Sequence, residues 1–187
     1  WDDPFSQSTP TATGLCAGNY QVVVADVNGC DTAVNYTITE SPEIIANGSV
    51  SDVSCFGDCD GSATVNPSGG VAPYNFLWST SDNVNSINNQ CAGLYDVTIT
   101  DDNGCIKDTT LVINEPTEIT ANVVSNDASC GNCNGSALIT PSGGAGGYTF
   151  NWSPAPGAGQ GTNNGTSMCA GIYSVTITDA SGCSTVI

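Results

Sequence analysis

Gly93-Leu94-Tyr95-Asp96-Val97-Thr98-Ile99-Thr100-Asp101 is the stretch that decides the fold. Tyr95, Val97 and Ile99 alternate with Asp96, Thr98 and Thr100, so apolar side chains leave one face of an extended strand and polar ones the other. Asp102-Asn103-Gly104 follows as a turn, because Asn and Gly accept the positive φ of a tight hairpin. A run over 109–113, rich in β-branched residues, is the returning strand. The same phrase occurs earlier as Gly18-Asn19-Tyr20-Gln21-Val22-Val23-Val24-Ala25-Asp26, and later as Gly171-Ile172-Tyr173-Ser174-Val175-Thr176-Ile177-Thr178-Asp179. Each copy follows Cys-Ala and runs into a Gly-Cys turn. Cys16, Cys91 and Cys169 are 75 and 78 residues apart, as are Cys30, Cys105 and Cys183.

Working outward, the rest of the unit occurs twice. Gly61-Ser62-Ala63 matches Gly135-Ser136-Ala137, and Pro67-Ser68-Gly69-Gly70 matches Pro141-Ser142-Gly143-Gly144. Tyr74-Asn75-Phe76-Leu77-Trp78-Ser79 matches Tyr148-Thr149-Phe150-Asn151-Trp152-Ser153, and Trp1 aligns with these tryptophans. A period of this kind marks a repeat array. Residues 1–42 are expected to be the C-terminal half of a repeat, 43–116 a complete repeat, and 117–187 a repeat lacking the end of its last strand. The boundaries fall after Ser41-Pro42 and Glu115-Pro116, and the array is expected to belong to a longer chain. Further strands are predicted over 44–53, 62–66 and 74–78, with a weaker one over 84–88. No stretch has a helical period. The fold class is therefore all-β: tandem immunoglobulin-like β-sandwich repeats of about 75 residues. A unit that small builds only a modest core and profits from cross-links. A linker of a few residues around one proline predicts a fairly stiff rod.

Charge and cysteine content bound the function. Of 187 residues 18 are acidic and one, Lys107, is basic; Arg and His are absent and the net charge is -17. Nucleic-acid phosphates and anionic membrane surfaces both require Lys and Arg, so neither is an expected partner. No apolar run approaches the length of a membrane helix, and no membrane insertion is expected. The charge favours cations and keeps neighbouring copies apart in solution. Ten cysteines without a histidine fit disulfides in an oxidising compartment better than zinc. Disulfides require export, and Trp1 opens directly into folded-type sequence, so an export signal is expected elsewhere in a longer chain.

The run Cys55 to Asp60-Gly61-Ser62-Ala63, Gly69-Gly70, Pro73-Tyr74, Trp78, Ala92-Gly93-x-Tyr95, Val97-x-Ile99-x-Asp101, Asn103-Gly104-Cys105 and Glu115-Pro116 resembles the SprB repeat, named for a large surface adhesin of gliding Bacteroidota. The resemblance covers essentially the whole chain. It implies an Ig-like fold related in outline to PKD domains, type IX secretion, and display on the cell surface or in extracellular fibres. The function implied is a structural or adhesive segment of a very large surface protein serving attachment, gliding or prey contact. The alternatives are a subunit of an ordered extracellular filament and, in another class, a carbohydrate- or calcium-binding module. The chain departs from the family in carrying four cysteines per repeat, with Cys59 and Cys91 the additional pair. The third repeat has Asn134 and Gly147 where the second has Asp60 and Pro73. Partners implied are neighbouring repeats, other copies in a fibre, and a surface or glycan ligand.

Candidate sites are few. The cysteines are Cys16, Cys30, Cys55, Cys59, Cys91, Cys105, Cys130, Cys133, Cys169 and Cys183. Four per repeat allow three pairings. A bond between Cys91 and Cys105 is disfavoured because a full strand separates them. If the strands alternate as in an Ig fold, Cys59 meets Cys91, Cys133 meets Cys169, and Cys105 is left for Cys55 in another topology or for a neighbouring repeat. Cys130-x-x-Cys133 lacks the βαβ context of a redox motif. Asp58, Asp60 and Asp101 are the calcium candidates, calcium being the only cofactor considered, although Asp-Asn-Gly is first of all a turn. Thr32 and Thr109 sit in Asp-Thr-x sequences resembling O-glycan acceptors in this phylum. Trp78 and Trp152 fit a sugar platform less well than a core, inside a Tyr-x-Phe-x-Trp alternation. The Gly-Gly pair is a turn, since no helix follows to hold an anion. With no histidine and one lysine, and no cleft expected for a carboxylate pair, no enzyme is expected.

Overall fold

A computed structural model describes all residues, Trp1–Ile187. It is all-β, with fourteen strands and no helix. The first unit is a hairpin of β1 (Gly18–Ala25) and β2 (Asp31–Ile38). The second holds β3 (Ile45–Ser51), β4 (Gly61–Ser68), β5 (Asn75–Trp78), β6 (Ser86–Gln90), β7 (Gly93–Thr100) and β8 (Ile106–Ile113). The third repeats the order as β9 (Thr120–Asn126), β10 (Gly135–Ser142), β11 (Thr149–Ser153), β12 (Asn164–Met168), β13 (Ser174–Thr178) and β14 (Ser184–Val186). Each of the two larger units is a sandwich of two antiparallel three-stranded sheets: β3-β4-β6 over β5-β7-β8, and β9-β10-β12 over β11-β13-β14.

The alternation read from the sequence places the core. Val97 and Ile99 of β7 are buried beside Trp78 of the neighbouring β5 and share one core with Ala63, Val65 and Ile87 of the facing sheet. Ile113 closes the same core from β8, which begins three residues earlier than expected because Lys107 and Asp108 masked its polar start. The third unit builds the equivalent core from Ile139, Trp152, Val175 and Ile177. Both tryptophans are core: Trp78 is 2% exposed and Trp152 5%. Each donates its indole N–H to a loop carbonyl, Val84 at 2.8 Å and Thr162 at 2.9 Å, as a buried tryptophan requires. In the first unit Trp1 stands beside Tyr36, ring centres 6.0 Å apart. The hairpin there leaves open the face that its counterpart buries: Ile38 is 38% exposed, against 1% for Ile113.

The outward face of β7–β8 is tied by reciprocal polar pairs. Thr98 donates its hydroxyl to Asp108 and Thr110 donates to Asp96, each at 2.6 Å between directly opposed residues. Cross-strand pairs of this type are the unit of sheet stabilisation. The recurring Gly-Ser-Ala has a steric cause. A Cβ on Gly61 would stand 2.7 Å from Cγ2 of Ile113 and 3.0 Å from the Gln90 carbonyl oxygen. Gly61→Ala is therefore expected to cost about 1–3 kcal/mol of the second repeat's stability, the price of overpacking, as read from its urea midpoint. An unchanged midpoint would mean that the sandwich opens freely at that edge.

Candidate functional site

Where one repeat meets the next, the repeated phrases converge. The linker backbone is gripped by the Gly-Gly turn: Gly70 N–H donates to Pro42 carbonyl at 2.8 Å, and Gly144 N–H to Thr117 carbonyl at 2.9 Å. Gly70 has φ +57°, and a Cβ there would stand 2.8 Å from Oδ2 of Asp101. Glycine is thus required both by conformation and by closeness.

The aspartate that ends each alternating strand sits under this turn. Asp101 is 2% exposed and accepts N–H groups from Val71 (2.9 Å) and Cys105 (2.8 Å). Asp179 accepts from Ala145 (2.8 Å), Ser181 (2.9 Å) and Cys183 (3.0 Å). For Asp101, burial works to raise the carboxyl, but the N–H donors of Val71, Cys105 and Asn103 outweigh it and hold the group below the ordinary carboxylate range. For Asp179 the N–H of Ala145 is the chief cause of the same lowering, helped by Cys183 and opposed by burial. Asp26 is held low in its own turn by the N–H groups of Cys30 and Asn28. These carboxylates thus fix turns and linkers.

A group whose pKa is lower folded than unfolded adds stability above its unfolded pKa and loses it as pH falls through the folded one. Melting temperature is accordingly expected to hold steady from neutral pH to about pH 5 and to fall below about pH 4, the ordinary aspartate range. Asp101→Asn is expected to flatten that fall and to lower the plateau. An equally steep fall in the variant would place the acid sensitivity elsewhere.

The other calcium candidates lie apart from Asp101. Asp58 and Asp60 sit in the β3–β4 loop beside Cys59, which is bonded to Cys91 at the start of β7. Asp101 stands at the end of β7, roughly 26 Å away at the usual rise per residue. Asp60 accepts the N–H of Ser54 at 2.9 Å, which with the Ser54 side chain lowers its pKa, the side chain contributing most. No three acidic or cysteine side chains in the structure group around a point where a cation would sit. Of the glycan candidates, Thr32 is exposed on β2, whereas Thr109 is half-buried on the same face of β8 as Leu111 and Ile113.

The cysteines give the junction its covalent chemistry. Cys59 is bonded to Cys91 and Cys133 to Cys169, each bond closing the upper pole of one repeat. The third bond joins two repeats. Cys55, in the β3–β4 loop of the second, is bonded to Cys183, in the Gly-Cys turn of the third, with Cα atoms 5.5 Å apart and a sequence separation of 128. The loop is set by Glu115, whose carboxylate accepts the Gly57 N–H at 2.9 Å. Cys183 Sγ lies 3.3 Å from the Ser54 carbonyl oxygen, and Cys183 is only 7% exposed. Cys16, Cys30, Cys105 and Cys130 are unpaired and exposed. Sequence reasoning missed Glu115 and the linker grip of Gly70. The recurrence of Gly69-Gly70 as Gly143-Gly144 beside each linker was the available signal.

Compared with known families, the chain matches the SprB repeat over residues 47–83 and again over 122–157. The two matches occupy the same part of each sandwich, from within β3 to beyond β5 and from within β9 to beyond β11. No curated protein matches the chain.

Proposed function

This chain carries SprB repeats, and on that premise we propose that it is a length of extracellular stalk in a cell-surface protein, a stapled rod that carries binding parts of the molecule outward for attachment or gliding. The observation that supports this reading most is the bond between Cys55 and Cys183. Proline stiffens the linker, but a few rotatable residues beside it still carry the whole connection. A second covalent connection beside it removes that freedom, and the grip of Gly144 on Thr117 takes up what remains. Such a joint resists bending, which suits a spacer.

Composition and surface agree. Disulfides persist outside the reducing cytosol. A net charge of -17 keeps parallel stalks from associating. The tryptophans that would have served a sugar-binding face are core, and two of the calcium candidates, Asp60 and Asp101, accept backbone N–H groups of loops and turns. With no histidine and a single lysine in the chain, the reading is structural rather than enzymatic.

Cryo-electron microscopy of the native particle tests it. The expected image is a thin single-chain thread of evenly spaced beads with little bending between neighbours. A regular multi-stranded tube would make these repeats filament subunits instead. A string with freely varying angles between beads would remove the stiffness on which the proposal rests.

A further inference from the structure

The second linker has a counterpart at the first, and one part of it is open. At the second, the Cys55 loop lies against Thr117, Glu118 and Ile119, and Cys55 is bonded to Cys183. At the first, Pro42, Glu43 and Ile44 form the same wall, with Cys105 and Ile106 beside them lining a groove. Cys105 is presented as Cys183 is: its N–H is held by Oδ1 of Asp101 at 2.8 Å, as that of Cys183 is by Oδ1 of Asp179 at 3.0 Å. Cys183 is buried under the loop it binds. Cys105 is exposed, and Ile106 next to it is 64% exposed. Glu40 stands one repeat period before Glu115, the residue that holds Gly57 of the bound loop. The groove thus has the shape, the thiol and the carboxylate of a filled junction.

We propose that this groove takes the cysteine loop of a further SprB repeat on the same polypeptide, that Cys105 is disulfide-bonded to the first cysteine of that loop, and that Glu40 accepts a glycine N–H from it. Cys130, equivalent to Cys55, is the only loop cysteine of this chain left unpaired, and it lies at the far pole of the third repeat. It is the loop-side half of the same bond made at the next junction. Each bond forms by thiol–disulfide exchange. The Cys105 thiol gives its proton to solvent, and the thiolate attacks the disulfide of a thiol oxidoreductase of the oxidising compartment. The loop thiolate then displaces the oxidoreductase sulfur, and the oxidoreductase leaves as a dithiol carrying the two electrons.

The proposal rests on the reading of the chain as a stapled array, and its test separates the two. The native full-length protein is alkylated without reduction, digested and mapped by mass spectrometry. The expected result is no alkylation at Cys105 and a linked peptide joining it to a segment with two cysteines three or four residues apart. Its electrophoretic mass is expected to show no multimer that reduction dissolves. Alkylated Cys105, or Cys105 joined to Cys16, Cys30 or Cys130, overturns the proposal, as does a multimer held by the Cys105 bond. The Cys55–Cys183 peptide in the same digest reports on the array itself. Its presence beside a free Cys105 sinks this inference and leaves the stalk standing.

Discussion

Pulled from its two ends, the oxidised chain is expected to reach a final length roughly 430 Å shorter than the fully reduced chain, at about 3.4 Å for each of the 128 residues enclosed by Cys55 and Cys183. The reason is the route of the load. Tension entering the second repeat runs to Cys55, crosses to Cys183 and leaves by Ile187. The segment between carries none, and both cores lie almost wholly within it. Cys183→Ser separates this bond from the other two. With the Cys59–Cys91 and Cys133–Cys169 loops still closed, the variant is expected to release about 60 residues more than the oxidised parent, roughly 200 Å. Single-molecule force spectroscopy reads both lengths directly. A gain of only roughly 230 Å on reduction, the share of the Cys59–Cys91 and Cys133–Cys169 loops at about 3.4 Å per residue, would show that the inter-repeat bond is not formed.

Trp78→Ala is expected to cost about 3–5 kcal/mol, the usual loss on truncating a buried aromatic residue. A native domain is stable by only about 5–15 kcal/mol, so the second repeat is expected to lose a large share of its stability. The indole fills the space between the two sheets, and its N–H satisfies the Val84 carbonyl, so truncation opens a cavity and leaves an acceptor without its partner. Leu77 is the control. It precedes Trp78 on the same strand, points to the other face and is 58% exposed. Leu77→Ala is expected to change stability by less than about 0.5 kcal/mol. Circular dichroism in a denaturant titration measures both. A stable Trp78→Ala variant would return the tryptophan to the list of surface ligands.

The strands were legible because their period is local. Tyr95, Val97 and Ile99 state which way they face without reference to anything distant, and the turn after them is written in Asn103 and Gly104. Pairing of Cys59 with Cys91 was within reach for a similar reason, since strand direction alone brings both to one pole. The bond from Cys55 to Cys183 was harder. Its halves belong to different repeats and sit at opposite poles of them, so nothing within one repeat brings them together. Only stacking the repeats end on end makes the pair adjacent. The role of Asp101 was obscured for a different reason. A carboxylate after a strand and before Asn-Gly looks the same in sequence whether it binds a cation or backbone N–H groups, and the choice depends on Gly70 and Val71, thirty residues away in the chain. Thr109 needed only the alternation of β8 carried back from Ile113.

Lys107, the one side-chain amine, is held by Glu43 at 2.7 Å and lies within β8, its backbone paired to Ile99 of β7. Enzymes that cut after lysine or arginine therefore find a single bond in the whole chain. A protease must draw its target into an extended, unpaired form, and this one is hydrogen-bonded into a sheet at the second repeat's core. To such digestive enzymes the folded chain offers almost nothing to cut.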